Sequence, residues 1–115
     1  VGDNMKYMMN LNAFPFFAIK AGTKTIEMRL YDEKRQKLKI GDGIEFINRN
    51  NNESLNVKII KLHKYKTFDE LYSYFDKEKI GYNKGEVANP KDMSRYYDSN
   101  DIERYGVIGI EIKKI

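Results

Sequence analysis

The chain has no cysteine and no tryptophan, and only two prolines and one histidine among its 115 residues. Without cysteine there is no disulfide framework, no thiolate zinc site and no thiol nucleophile. A single histidine, His63, on what reads as a strand, gives no support to a multi-histidine metal site or a Ser–His–Asp triad. No apolar run approaches the roughly 20 residues that span a bilayer, so no membrane partner is expected. No Walker loop and no Gly-x-Gly-x-x-Gly occurs, which leaves ATP and dinucleotides without a motif. Asp98, Asp101 and Glu103 read as a solvated cluster capping a short helix rather than a cation site. No cofactor and no metal are therefore expected. A fold that needs no disulfide fits a reducing, cytoplasmic setting. Val1-Gly2-Asp3-Asn4 lacks the basic-then-apolar pattern of a signal peptide. It is expected to be a remnant ahead of a natural start at Met5, with residues 5–115 forming one domain.

What is present is charge, unevenly placed. The net charge is +4, and the segment from Lys20 to Lys39 holds seven bases against three acids, while the rest of the chain balances. A local basic face suits a polyanion or a phosphorylated ligand. A solvated lysine-rich surface is the plain alternative.

Hydrophobic periodicity gives a coarse order of elements. Tyr7–Leu11 reads as a first strand. Asn12 can cap a helix carrying Phe14, Phe16, Phe17 and Ile19, with Pro15 in its first turn and Gly22 closing it. Ile26, Met28 and Leu30 alternate with Thr25, Glu27 and Arg29, the period of a half-buried strand. Asp32–Ile40 reads as a short helical or irregular turn, and Gly41-Asp42-Gly43 as a turn before the strand Ile44–Ile47. Asn50–Asn52 forms a hairpin tip into a strand Leu55–Leu62, with Val57, Ile59 and Lys61 sharing a face. Thr67 and Glu70 make a capping box for a helix striped by Phe68, Leu71, Tyr72 and Phe75. Tyr82–Asn89 is loop, Asn89-Pro90 opens a shorter helix, and Val107–Ile112 is the closing strand. Strands with peripheral helices argue for an α+β fold curled into a small barrel.

The most informative stretch is Gly22-Thr23-Lys24-Thr25-Ile26-Glu27-Met28-Arg29. A glycine turn enters a strand, and an ammonium, a carboxylate and a guanidinium follow within a few residues. Alternation puts Thr25, Glu27 and Arg29 on one face. Lys24 belongs to the other, but it stands at the strand mouth, where a bulge can redirect it. Sharing a cleft, the three charges retune one another and can hold an anion or move a proton. The structural alternative is an ion pair between Glu27 and Arg29 with Lys24 solvated.

Gly22-x-Lys24-x-x-Glu27-x-Arg29 resembles the signature of the ASCH domain, a relative of the PUA-like RNA-binding fold. Further matches follow in order: Phe16-Phe17-Ala18-Ile19-Lys20, Gly41-Asp42, Phe68-x-Glu70-Leu71, and Tyr105-Gly106-Val107-x-Gly109-Ile110. The resemblance runs from about Tyr7 to Ile112. It implies a small PUA-like β-barrel with helices across its openings, and a cleft beneath the first helix where Lys24, Glu27 and Arg29 gather. It also implies RNA, or a modified nucleoside or nucleotide, as the partner. Lys20 and Tyr97 join those three as expected ligand-binding residues, and Tyr31, Tyr65, Tyr96 or Tyr97 could stack a splayed base. Lys34, Arg35, Lys37 and Lys39 would meet phosphates, and Glu27 would accept from an exocyclic amine of a base.

A small bacterial branch of the family hydrolyses the amide of N4-acetylcytidine with a lysine, a threonine and a glutamate, and other members are linked to RNA cleavage. If this chain were such a hydrolase, Lys24 and Glu27 would be its catalytic residues. It departs from the branch by carrying Glu27 where the threonine stands, and either Glu70 or Glu78 would have to supply the second glutamate.

Overall fold

Alternation along the strands decides the architecture of the computed structural model, which describes residues 3–115. Of the expected Val1–Asn4 remnant, residues 1 and 2 lie outside that range. Strands β1 (Lys6–Leu11), β2 (Ile26–Leu30), β3 (Gly43–Asn48), β4 (Ser54–Tyr65) and β5 (Val107–Lys114) form one five-stranded sheet in the order β1-β3-β4-β5-β2. β1 runs parallel to β3, and every other pair is antiparallel. The sheet curls into a half-barrel with β1 and β2 at its edges. Helices α1 (Ala13–Ala21), α2 (Phe68–Tyr74) and α3 (Ser99–Tyr105) surround it, with 3₁₀ turns at Arg35–Lys37 and Pro90–Arg95. The fold is α+β, as the sequence implies.

Both faces of the sheet are covered. Phe16 and Ile19 of α1 pack with Ile44, Phe46, Val57, Ile59, Ile108 and Ile110 on one side. Phe68 and Leu71 of α2, with Met93 and Ile80, pack on Ile26, Met28 and Val107 on the other. Residues directly opposite in an antiparallel pair share a face. Glu27 opposes Ile110 and Arg29 opposes Ile108, so both charges project to the side of the α1 core, while Ile26 and Met28 face α2.

Several local expectations are corrected. Lys61 does not share a face with Val57 and Ile59, because a register shift between Ile59 and Lys61 sets Leu62, opposite Ile110, into that position. Such an extra residue breaks the two-residue period without any mark in composition. Asn12 stands at the start of α1 with extended backbone, but its side chain makes no capping bond. Strand β2 begins at Ile26, leaving Thr25 outside it. Thr67 caps α2 as expected, accepting from the Glu70 N–H at 3.1 Å, but among the described residues the Glu70 side chain makes no return bond to the Thr67 N–H, so the capping box is only half formed. Asp98 likewise caps α3, accepting from the Asp101 N–H at 2.8 Å.

Candidate functional site: a charged cleft at the open seam

Lys24 is positioned by the way α1 ends. Gly22 takes the left-handed conformation at φ 87°, which a side chain would resist. The chain then doubles back, and the N–H groups of Thr23 and Lys24 both donate to the Ala18 carbonyl at 3.1 Å. Thr25 and Ile26 donate to the Lys79 carbonyl, which ties this turn to the segment after α2. Within that segment Gly81 lies against the Lys24 stem; a Cβ there would stand 3.2 Å from Lys24 Cδ. The lysine is thus channelled inward before the strand begins, and no bulge is required.

The three signature charges meet. Lys24 Nζ lies 2.8 Å from Glu27 Oε1, and Arg29 Nε lies 2.7 Å from Glu27 Oε2. Glu27 and Lys24 are buried at 4% and 8% exposure, so the solvated-lysine alternative fails. Burial pushes the Glu27 carboxyl up, but the adjacent Lys24 and Arg29 outweigh it and hold the group below its usual range. Burial works against the Arg29 guanidinium in the same way, and Glu27 reverses it, raising its pKa. Arg29 also donates from Nη2 to the Asn10 carbonyl at 3.1 Å, linking edge strand β2 to edge strand β1.

Around this triad opens a cleft of about 640 Å³. One wall comes from β1 and the start of α1, with Asn10, Asn12 and Phe14. The other comes from α2, the loop after it and the segment around the Pro90–Arg95 turn, with Tyr72, Tyr82, Asp92, Tyr96 and Tyr97. Arg49 and Arg95, both exposed, also line it, and among the described residues neither side chain has a hydrogen-bonding or ionic partner. Burial pushes the Tyr97 phenol up, against the pull of Arg29 and Arg35, so it stays neutral while its ring stacks on Phe68 at 6.0 Å.

Other expected residues lie elsewhere. Lys20 is on the exposed side of α1, paired with Glu53. Arg35 pairs with Asp32 at 2.9 Å, and Lys34, Lys37 and Lys39 do not line the cleft. Tyr31 packs beside the α1 core beneath Lys64, and Tyr65 stacks on Tyr74 outside the half-barrel. Glu70 and Glu78 do not line the cleft; its carboxylates are Glu27, Glu86 and Asp92. His63 pairs with Glu111 at 2.9 Å on the α2 side of the sheet. A second hollow of about 840 Å³ lies between α2, the Pro90–Arg95 turn and α3, but it contains none of the signature charges. Among the described residues no group of acidic or histidine side chains could hold a metal ion, and no helix is long and apolar enough to cross a membrane.

A curled sheet with a glycine-led Lys–Glu–Arg set in a cleft at its open seam defines a PUA-like α+β domain. The ASCH domain model matches residues 9–115, and the chain belongs to the ASCH domain family. Among solved structures, the crystal structure of hypothetical protein PH0355 is similar at 35% identity and a TM-score of 0.82, covering 96% of this chain and 100% of that one. The solution NMR structure of protein PF0455 from Pyrococcus furiosus is similar at 32% identity and a TM-score of 0.74, covering 96% of this chain and 98% of that one. No curated protein matches the chain.

Proposed function

We propose that this ASCH domain is a cytoplasmic binding module that takes a base of single-stranded RNA, or a free modified nucleoside or nucleotide, into the Lys24–Glu27–Arg29 cleft. The observation that carries the reading is the triad: a buried carboxylate with an ammonium on one oxygen and a guanidinium on the other, at the side of an open cleft. Glu27 serves there as a clamp. It fixes Lys24 and Arg29 so that their remaining N–H groups meet a ligand without reordering. Tyr96 and Tyr97 offer rings for a base, and Arg49 and Arg95 offer unpaired cations for phosphates. Lys20, held by Glu53, has no part in this arrangement.

Fluorescence anisotropy with a short single-stranded RNA tests the reading. Binding weakens as salt rises, and Arg49→Ala/Arg95→Ala reduces the slope of log K against log salt by about 1.4, the value for two single-strand phosphate contacts. Absence of binding, or binding indifferent to salt and to both arginines, contradicts the RNA form of the reading and leaves only a free nucleoside or nucleotide as the ligand.

A second reading rests on the 2.8 Å contact between Lys24 and Glu27, a donor and acceptor between which a proton can pass. In that reading the cleft hydrolyses an acylated nucleoside or RNA, with Lys24 and Glu27 as the catalytic pair. Turnover of N4-acetylcytidine that disappears in Lys24→Ala would favour it over the module.

A further inference from the structure

Glu27 is 4% exposed and each of its oxygens already holds a cation, Lys24 or Arg29, so a more accessible acceptor in the cleft is better placed to read a base. Of the two other carboxylates in the cleft, Glu86 is exposed and, among the described residues, accepts only from the Asn83 N–H of its own loop, at 2.7 Å, with no side chain to orient it. Asp92 is different. It comes from the Pro90–Arg95 turn, and its Oδ2 lies 2.7 Å from Tyr82 Oη. Tyr82 Oη in turn lies 2.9 Å from Tyr72 Oη and 3.1 Å from the Asn89 carbonyl.

A phenol has one proton to donate. The shortest contact of Tyr82 is to the carboxylate, so its proton goes to Asp92, and Tyr72 donates to Tyr82. Burial raises the pKa of both phenols, which keeps them neutral donors. The chain of bonds therefore runs one way, from Tyr72 through Tyr82 to Asp92, and fixes the carboxylate. Among the described residues, Asp92 Oδ1 takes no hydrogen bond.

The carboxylate of a half-buried residue, in a cleft that offers mainly cationic donors, is an outlier that a phosphate would avoid. It suits a ligand group that donates. Resting on the binding reading above, we propose that Asp92, oriented by Tyr82 and Tyr72, determines specificity by accepting from the exocyclic amine of cytosine or adenine. Those two bases share an edge in which an amino group adjoins a ring nitrogen acceptor. Asp92 meets the amine, and Lys24 or Arg29 meets the ring nitrogen. Uracil presents a carbonyl oxygen where cytosine has its amine, and that oxygen would face the carboxylate oxygen unpaired.

The test compares oligo-C, oligo-A and oligo-U hexaribonucleotides against the intact protein and two variants. The unaltered protein binds C and A about tenfold more tightly than U. Asp92→Asn retains an oxygen for Tyr82 and sets an amide NH2 where Oδ1 stood, so C and A weaken about tenfold and U gains on them. Tyr82→Phe removes the support; it narrows the preference and leaves the salt dependence unchanged, which distinguishes loss of orientation from loss of phosphate contacts. Equal binding of all three oligomers by the unaltered protein, or an undiminished preference in Asp92→Asn, overturns this proposal alone. Failure to bind any of them, or free cytidine and adenosine monophosphates, overturns it together with the binding reading. Thermal melts of both variants establish that each is folded.

Discussion

Glu27 shows how a single buried carboxylate can be both a structural cost and a structural anchor. Its burial alone disfavours the charge, and two cations within 2.8 Å restore it. Glu27→Gln leaves Lys24 and Arg29 buried without a counter-charge, and is expected to lower stability at neutral pH by about 3 kcal/mol in urea denaturation. Acid titration gives the matching prediction. The folded-state pKa of Glu27 is depressed, so the unfolded chain binds the proton more readily. The stability it contributes is complete above the ordinary carboxylate value of 4.5 and is lost as pH falls through the lower folded value. The urea midpoint of the unaltered protein should therefore fall on the acid side more steeply than that of Glu27→Gln; parallel slopes would contradict the triad. These three charges were legible in the sequence because a turn and one strand carry them all. Asp92, Tyr72 and Tyr82 were not, because they come from a 3₁₀ turn, a helix and a loop, and only packing brings them together.

At the level of elements, the two-residue period set most strands correctly and failed at β4, where the shift after Ile59 moves Lys61 out of line. Helix α2 shows a different limit. Tyr72 fits the apolar stripe with Phe68 and Leu71, and it does pack beside that core, yet its hydroxyl reaches Tyr82 in the cleft. An amphipathic pattern assigns a side chain to a face but says nothing about its polar tip. The segment after α2 matters as much as the helix, because Gly81 adopts φ 112° beside the Lys24 stem. Gly81→Ala should strain the backbone and crowd Lys24, lowering the melting temperature by about 5 °C or more. Gly85→Ala, at a glycine with nothing within 4 Å of an added Cβ, is the control and should leave it unchanged. Equal shifts for the two would mean that the Lys24 channel is not tightly built.

Across the whole molecule, charge density along the chain was a poor guide to charge density in space. The basic stretch from Lys20 to Lys39 contributes Lys24 and Arg29 to the cleft, while Lys20 and Arg35 are neutralised by Glu53 and Asp32. Arg49, from the hairpin after β3, and Arg95, from the turn before α3, take their place at the cleft. No window of sequence joins those two positions. The half-barrel itself predicts where a ligand will be felt: occupancy should slow amide hydrogen exchange in β1, across the seam from the triad, more than in β4. Exchange unchanged in β1 at saturation would count against a ligand lodged at the seam. The guanidinium of Arg29 grips Glu27 with one nitrogen and the far rim of the sheet, at Asn10, with another. Cargo that engages its remaining nitrogen would also brace the latch between the two rims, so the melting temperature becomes a gauge of occupancy, readable without a label on either molecule.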